Sequence, residues 1–361
     1  MAASSDLKVL ADESTVIAPA DAEQSINELD RPTDILKDYT FPIPQFAKAR
    51  SWPTADGTER RLPQIIAHRG YKSRFPENSL LAFEEAIKAG ATALETDVRL
   101  TKDEVVVLEH HGDLKRFGHG KKITDCTWDE IKDFRTVDPP HAPICRLQEL
   151  LEFLRQSENA NIWVLLDIKL AGRAEDVIRV LKSTIDTAQA PPGRPWNRRI
   201  LMGTWAARQI PLVAKHLPGY STIHIGYHLG HAKQNVQALY MGVALMIYTA
   251  LAPSSRRFIE DRKTKGPVIA WPVSETDQIE WCARSGLDGV ITDDPEAMAK
   301  LWERFDVGAT RPILPVSVRS CLWTLFYYFW VNSMFWLFRK VTHLDRDEEG
   351  TKESVDKKKE A

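Results

Sequence analysis

Short apolar runs alternate with amphipathic stretches from Gln64 to about Phe305, and this alternation constrains the fold more than any other feature. Apolar runs bounded by polar turns indicate strands, and the amphipathic stretches between them indicate helices. Repeated strand-then-helix units imply parallel strands joined by crossover helices. About 240 residues of such units match the size of a TIM-type (β/α)8 barrel. The predicted strands cover residues 65–68, 93–98, 105–108, 162–168, 200–203, 222–225, 243–248, 268–271 and 289–292. The first predicted helix covers residues 78–89, with Asn78 as its N-cap.

A doubly wound open sheet is the structural alternative, because it is built from the same units. The chain contains neither a G-x-G-x-x-G nor a G-K-[ST] phosphate loop, the motifs that accompany many open sheets. We therefore predict the α/β barrel, with a core that the 43% hydrophobic content can fill.

Composition argues against several functional classes. The chain has 48 basic and 50 acidic residues, so it lacks the basic surplus typical of nucleic-acid-binding proteins. Its four cysteines are scattered without a C-x-x-C pair, which argues against a disulfide framework or a zinc site. This usage suits a reducing compartment. No obligate protein partner is indicated.

The sequence divides into four predicted regions. Residues 1–60 are polar and weakly periodic, which predicts a largely disordered arm. Residues 61–310 form the barrel, 311–344 an aromatic hydrophobic tail, and 345–361 a charged disordered end. Because residues 1–30 carry no apolar run like that of a signal peptide, we expect the barrel to face the cytosol.

Unusual polar residues follow the predicted strands at their carboxyl ends. In a (β/α)8 barrel these ends, with the loops that follow them, build the active site. Each residue alone has an ordinary structural explanation, such as a loop cap or a surface ion pair. Their joint placement at four strand ends indicates a functional cluster instead. The residues are His68, Arg69, Glu95, Asp97, His110, His111, Asp167 and Lys169.

The acidic members of this set predict a metal site. Glu95 and Asp97 are two residues apart on a strand, so both side chains point to the same face. Two buried carboxylates repel each other unless a cation joins them. Asp167 can add a third oxygen ligand from a later strand, and an all-carboxylate set favours Mg²⁺ or Ca²⁺ over zinc. Lys169 shares a face with Asp167 and is placed to hold a phosphate oxygen.

These residues, in their order, resemble the glycerophosphodiester phosphodiesterase family over roughly residues 64 to 305. Within it, the chain looks most similar to the fungal phosphatidylglycerol-specific phospholipase C branch. Three features suggest the branch: Asp167 stands where many relatives have glutamate, the segment before it is short, and an aromatic tail follows the barrel. The matching segments are His68–Gly70, Pro76–Ser79, Gly90–Ala91, Glu95–Val98, Thr101–Asp103, Val105–Val107, Leu114 with Arg116, Asp167–Lys169, Trp271–Val273 and Gly289–Pro295.

The resemblance implies cleavage of phosphatidylglycerol to diacylglycerol and a glycerol phosphate. It implies that one of His68 and His110 is the general base and the other the general acid. Trp271 would pack against the glycerol, with ordinary barrel packing as the alternative. The family usually has aspartate where this chain has His111; a register in which His111 is catalytic is the other possibility. The implied metal ligands are Glu95, Asp97 and Asp167, and the implied phosphate-binding residues are Arg69 and Lys169.

An 18-residue apolar run at residues 321–338, CLWTLFYYFWVNSMFWLF, contains nine aromatic residues. As a helix it would be about 27 Å long, slightly shorter than the hydrocarbon thickness of a bilayer. Tryptophan and tyrosine favour the headgroup region, so we favour an interfacial segment over a single span. A helix packed on the barrel is a third reading.

The tail predicts a lipid substrate and association with the endoplasmic reticulum, lipid droplets or the mitochondrial outer membrane. Two other functions remain open from the sequence. One is a broader glycerophosphodiesterase or lysophospholipase D that acts on deacylated or monoacylated substrates. The other is a lipid-binding barrel with impaired catalysis, which His111 alone suggests.

Overall fold

The computed structural model describes residues 41–53, 59–169, 174–236, 242–306 and 316–341. Its strands are β1 (Arg50–Pro53), β2 (Glu59–Leu62), β3 (Gln64–His68), β4 (Ala93–Leu100), β5 (Val106–Leu108), β6 (Trp163–Ile168), β7 (Ile200–Thr204), β8 (Ser221–Gly226), β9 (Val243–Met246), β10 (Val268–Trp271) and β11 (Gly289–Thr292).

The α-helices in the same residues are α1 (Leu80–Lys88), α2 (Trp128–Ile131), α3 (Leu147–Leu154), α4 (Ala174–Thr187), α5 (Gln209–His216), α6 (Leu229–Val236), α7 (Ile247–Leu251), α8 (Arg256–Lys263), α9 (Thr276–Arg284), α10 (Pro295–Arg304) and α11 (Val318–Val341). Short 3₁₀ helices cover Gln45–Ala47, Lys115–Phe117, Ile123–Asp125, Ser157–Asn159, Trp196–Arg198 and Pro253–Ser255.

Eight parallel strands close into a barrel in the order β3, β4, β6, β7, β8, β9, β10 and β11, with β11 pairing back to β3. This confirms the predicted (β/α)8 architecture, because an open sheet would leave two unpaired edges. The register sets Asp97 of β4 directly beside Asp167 of β6. Apolar side chains such as Trp163 and Leu165 fill the barrel interior, so the site can form only at its mouth.

The predicted third strand is confirmed as a strand, but its place in the parallel barrel was wrong. Residues Val106–Leu108 form β5, which pairs antiparallel with the far end of β4 and lies outside the parallel barrel. The reason is a tight turn after β4, where Glu104 has a φ of 62° and Thr101 Oγ1 accepts the Val105 N–H at 2.9 Å. The loop bearing His110 therefore returns over the barrel mouth from a two-stranded extension.

Two smaller boundaries also differ from the sequence prediction. The first helix begins at Leu80, and its N-cap is Ser79, whose hydroxyl accepts from the Ala82 N–H. Asn78, the predicted cap, instead takes a φ of 52° and turns toward the active site. The predicted strand 243–248 ends at Met246, where α7 begins.

The segment before β1 covers the amino-terminal end of the barrel. The Gln64 side-chain amide donates to the carbonyls of Phe46 and Lys48, and the Phe46 ring meets Trp163 edge-on at 5.6 Å. Packing on the barrel therefore extends to Phe41, ahead of the boundary drawn at residue 61. The rest of the predicted arm, 1–40 and 54–58, lies outside the described residues.

The aromatic run forms most of α11, which packs against α7 across the carboxyl end of the barrel. Tyr327 and Val331 are 3% and 5% exposed and join the apolar cluster of the barrel interior. The outward face is apolar too: Leu322 and Phe329 are 62% and 67% exposed. None of the described helices is both long and apolar enough to cross a membrane. Residues 342–361 lie outside the described part of the chain.

Candidate active site

His68 ends β3 at the barrel mouth, where it is 5% exposed. Its Nδ1 lies 2.7 Å from Asp293 Oδ1 at the end of β11, and its Nε2 lies 4.0 Å from Glu95 Oε2. Burial, reinforced by the nearby Lys72 and Arg69 charges, lowers the pKa of His68 to about 4. The imidazole is therefore neutral at physiological pH and held in one orientation by a carboxylate.

Glu95, Asp97 and Asp167 meet beside this histidine. Each offers one carboxylate oxygen, and these oxygens all lie within 4.8 Å of one another. The three residues are between 1% and 4% exposed. The sequence prediction that the three carboxylates converge on one face is confirmed by this geometry.

Lys169 lies between two of these carboxylates. Its Nζ is 2.7 Å from Asp97 Oδ1 and 2.7 Å from Asp167 Oδ2. Burial opposes the charge of Lys169, but the two carboxylates outweigh it and raise its pKa. The ammonium is thus fixed at the acidic cluster, and its contact with a phosphate oxygen stays a prediction.

Arg69 supplies the second cation. Its Nε lies 3.3 Å from Asp97 Oδ2, and its Nη1 is 3.2 Å from Glu77. Its backbone N–H donates to the Glu95 carboxylate at 3.1 Å, an arrangement that requires the positive φ of 57° at this residue. Gly70 follows at φ 82°, and a Cβ there would lie 2.7 Å from the Ala82 backbone. The His-Arg-Gly sequence is thus a tight turn that folds Arg69 onto the site.

The acidic cluster carries more negative charge than its neighbours neutralise. Burial and the adjacent carboxylates raise the pKa of Glu95, and burial also raises the pKa of Asp167. For Asp97, burial acts in the same direction, but Lys169 and Arg69 outweigh it and lower the pKa. Buried oxygens with unfavourable charge are what a hard divalent cation stabilises, so the residues fit Mg²⁺ or Ca²⁺.

The Asn78 side chain orients the Asp97 carboxylate. Its side-chain N–H donates to Asp97 Oδ2 at 3.0 Å, and its Oδ1 accepts from the Thr96 hydroxyl at 2.8 Å. The left-handed backbone at Asn78 aims this amide into the barrel mouth. The sequence analysis missed this role because it assigned Asn78 to a helix cap.

His110 sits on the loop after β5, and two arginine side chains hold that loop. The Arg99 guanidinium donates to the His110 carbonyl at 2.6 Å, while Arg116 Nε donates to the buried Glu109 carboxylate at 2.6 Å. Within the described residues, His110 Nδ1 is a buried atom with no hydrogen-bond partner. Burial lowers the pKa of His110, and the Asp97 charge partly opposes this. That coupling favours His110 over His111 as the histidine facing the acidic cluster.

His111 lies one residue further along this loop. Its backbone N–H donates to Glu109 at 3.1 Å, and its ring meets the His110 ring edge-on at 4.8 Å. It therefore buttresses His110 from the side. Its effect on activity stays a prediction.

Aromatic rings line one side of the acidic cluster. Trp205 Nε1 donates to Asp167 Oδ1 at 2.7 Å, and its ring lies 5.6 Å from Trp271. Trp271 is 5% exposed and donates its own Nε1 to the Ala244 carbonyl. Its indole N–H is thus used in barrel packing, and contact with a glycerol stays a prediction.

Sequence reasoning singled out neither Trp205 nor Asp293 for the site. Asp293 lay within a quoted motif directly after a strand, which is the signal that would have found it. Trp205 follows β7 in the same way, but an aromatic residue at a strand end is not distinctive by itself. The structure identifies Asp293 by its contact with His68 and Trp205 by its contact with Asp167.

The sequence profile of the Glycerophosphoryl diester phosphodiesterase family matches residues 68–297, more than half of the chain. A glycerophosphodiester phosphodiesterase of Caldanaerobacter subterraneus is 27% identical over 251 residues, which cover 66% of this chain and 96% of that protein. Human glycerophosphodiester phosphodiesterase 1 is 31% identical over 122 residues, 32% of this chain and 36% of the human protein.

Solved structures show the same fold. A putative glycerophosphoryl diester phosphodiesterase from Silicibacter pomeroyi superposes with a TM-score of 0.59 at 19% identity, covering 72% of this chain and 97% of that one. An Oleispira antarctica phosphodiesterase, solved with the product sn-glycerol-3-phosphate, gives a TM-score of 0.57 at 20% identity, covering 66% and 96%.

The family match makes the chain a phosphoric diester hydrolase, and the buried acidic cluster is consistent with a divalent-metal site in that family. The chain belongs to the glycerophosphoryl diester phosphodiesterase family, as its sequence predicted. The match ends at residue 297, before α11 begins.

Proposed function

We propose that this chain hydrolyses the headgroup diester of phosphatidylglycerol, releasing diacylglycerol and a glycerol phosphate. This proposal includes the predicted kinship with the fungal phosphatidylglycerol-specific phospholipase C branch. The observation that carries the chemistry is the convergence of Glu95, Asp97 and Asp167 beside His68. The observation that favours an acylated substrate is the apolar helix α11 across the barrel mouth.

The acidic cluster would hold Mg²⁺ or Ca²⁺, which supplies charge stabilisation at the phosphate and a more nucleophilic glycerol oxygen. Lys169 and Arg69 donate to the non-bridging phosphate oxygens and exchange part of their contact with Asp97 for contact with substrate. Asn78 and Trp205 keep the carboxylates of Asp97 and Asp167 oriented during this exchange.

The two imidazoles move the protons. The headgroup 2-hydroxyl attacks phosphorus and gives its proton to one histidine, which starts neutral. The phosphorus–oxygen bond to diacylglycerol breaks, and the leaving oxygen takes a proton from the other histidine, which starts as the imidazolium. Water then opens the cyclic phosphate, with both proton transfers reversed. Asp293 stabilises a cation on His68, which suits His68 to accept the first proton.

We further propose that the outward face of α11 rests on a cytosol-facing membrane surface. Its exposed side chains include Leu322, Phe326 and Phe329, and Arg319 and Arg339–Lys340 lie near its ends. Such a helix binds in the headgroup region without spanning. The organelle predictions from the sequence stay predictions.

A lipid panel tests the substrate. Purified protein is incubated with vesicles of single phospholipids and with glycerophosphocholine, and the products are identified by mass. We expect diacylglycerol from phosphatidylglycerol and loss of that product in His68→Gln. Cleavage of glycerophosphocholine alone would establish the broader glycerophosphodiesterase, and release of phosphatidic acid or its lyso form would establish a phospholipase D type. Binding of the protein to lipid vesicles without any released product would support the alternative of a lipid-binding barrel with impaired catalysis.

Flotation with vesicles tests the membrane contact separately. The double variant Leu322→Gln, Phe329→Gln alters only exposed positions of α11, so the barrel should stay folded. We expect it to stay in the soluble fraction while the parent floats. A matched pair of substitutions at exposed sites away from α11, Lys88→Gln with Arg179→Gln, should float like the parent. If both variants float equally, α11 is not the membrane contact.

A further inference from the structure

A row of aromatic side chains connects the acidic cluster to the surface of α11. We define the aromatic row as Trp205, Tyr227, Tyr327 and Trp330. At its inner end Trp205 donates to Asp167, and at its outer end Trp330 is 38% exposed. The row therefore begins beside Asp167, a proposed metal ligand. It ends on α11, the helix proposed to lie at the membrane.

Each step along the row is a direct contact. The rings of Trp205 and Tyr227 are 6.3 Å apart, and those of Tyr327 and Trp330 are also 6.3 Å apart. The Tyr327 hydroxyl donates to the backbone carbonyl of Tyr227 at 3.5 Å, which links the Trp205–Tyr227 pair to the Tyr327–Trp330 pair. Tyr327 also packs on Tyr248 of α7 at 5.5 Å, which holds it in place.

Exposure along the row is uneven. Tyr327 is 3% exposed and supports the row from inside, whereas Tyr227 is 47% exposed and adjoins the partly buried Trp205. Large aromatic rings in such a position present an apolar wall to whatever enters the barrel mouth. The residues of α11 include no acidic side chain that would repel a phosphate or an anionic surface beside this wall.

We propose that the aromatic row binds the acylglycerol part of the substrate and thereby sets the preference for an acylated over a deacylated diester. This inference rests on the proposed function and names the residues that select the substrate class. A water-soluble diester would end within the charged pocket and leave the row unused. An acylated one places its glycerol backbone and first methylenes on Trp205 and Tyr227, with the chains continuing toward Trp330. Helix α11 is then part of the substrate site as well as a surface contact.

The test compares two soluble substrates, so that membrane attachment does not affect the outcome. One is dihexanoyl phosphatidylglycerol below its micellar concentration, and the other is the same headgroup diester without acyl chains. The full-length chain is used with Tyr227→Ala and Trp330→Ala. Tyr227→Ala leaves the backbone carbonyl that accepts from Thr249 and Tyr327. Phe329→Ala, also aromatic, on the same helix and 67% exposed, is the matched control.

We expect Tyr227→Ala to raise KM for the acylated substrate about tenfold, from lost apolar contact, with kcat little changed. Trp330→Ala should give a smaller rise of the same kind, and KM for the deacylated diester should change less than twofold in both. Phe329→Ala should change neither. Equal effects on both substrates, or an equal effect of Phe329→Ala, would overturn the role of the row while leaving the proposed function intact. A parent enzyme that cleaves only the deacylated diester would instead refute the proposed function and this inference with it.

Discussion

Both ends of the barrel contain buried carboxylates. Only at the amino-terminal end do neighbouring cations neutralise the carboxylate charge fully. At the amino-terminal end, Asp288 is 1% exposed and contacts Lys48 at 3.2 Å and Arg61 at 2.9 Å. It also accepts the backbone N–H groups of Ala49 and Val268. This single charge therefore has two cations and two amides, which is the arrangement of a structural ion pair.

At the carboxyl-terminal end, Glu95, Asp97 and Asp167 share Lys169 and Arg69, and Arg69 is also paired with Glu77. Three charges against two cations leave negative charge in a buried place. Burial and the neighbouring carboxylate charges together raise the pKa values of Glu95 and Asp167. In this barrel the carboxylates whose charge is only partly neutralised by neighbouring cations lie at the functional site. The fully neutralised Asp288 has a structural role.

The largest expected effect is a loss of activity from a substitution at the carboxyl-terminal end of the barrel. Asp97→Asn removes a charge that Lys169 and Arg69 both contact, so it should lower kcat/KM by on the order of 10³-fold. Lys169 and Arg69 outweigh burial and lower the pKa of Asp97, so its charge stabilises the fold and the thermal midpoint should fall as well. The rate is therefore compared per folded molecule. Hydrolysis rates and circular dichroism melts check this. An Asp97→Asn enzyme within tenfold of the parent would show that the acidic cluster is not the reaction centre.

The complementary change at the other end should affect stability. Asp288→Asn leaves Lys48 without a charged partner and weakens the attachment of the amino-terminal segment, at a cost of about 2 kcal/mol. Urea unfolding measures this free energy. The rate per folded molecule should remain within twofold of the parent. A strong loss of activity without a loss of stability would contradict the division of roles between the two ends.

A smaller effect is expected one contact away from the acidic cluster. Trp205→Phe keeps an aromatic ring but removes the N–H that donates to Asp167, so activity should fall about tenfold and metal affinity should weaken similarly. Trp302→Phe, which removes the indole N–H that donates to the Pro63 carbonyl, is the matched control. If both variants behave alike, the Asp167 contact does not matter.

The smallest effect concerns stability without metal. Because the folded protein raises the pKa of Glu95, its ionised form destabilises the fold at neutral pH, and Glu95→Gln should remove that penalty. In EDTA we expect the thermal midpoint of Glu95→Gln to equal or exceed that of the parent by a few degrees, about 1 kcal/mol. Added Mg²⁺ or Ca²⁺ should stabilise only the parent, and less so as pH falls, because protons compete for the carboxylates. Destabilisation by Glu95→Gln in EDTA would show that Glu95 is structural.

Much of the fold followed from the sequence because strand patterns are local. All eight barrel strands begin within one residue of their predicted start. The prediction failed at Val106–Leu108, whose apolar run looks like a barrel strand. Whether such a run joins the barrel or folds back on β4 depends on a turn at Glu104 that no periodicity reveals.

The candidate site shows the same division. Period-two spacing placed Glu95 and Asp97 on one face, and strand ends nominated His68 and Asp167. The partners that orient them, Asn78, Asp293 and Trp205, became visible only as contacts between strands distant in sequence. The position of the aromatic tail across the barrel mouth was likewise one of three readings of the same apolar run.

The amino-acid sequence by itself determined the parallel barrel, the acidic trio and the family, because each rests on residue types at fixed local spacing. Tertiary structure alone decided which carboxylates share cations, which loop carries His110 over the mouth, and where α11 packs. Charge balance and packing are sums over neighbours from many strands, and the linear order of the chain does not specify those neighbours.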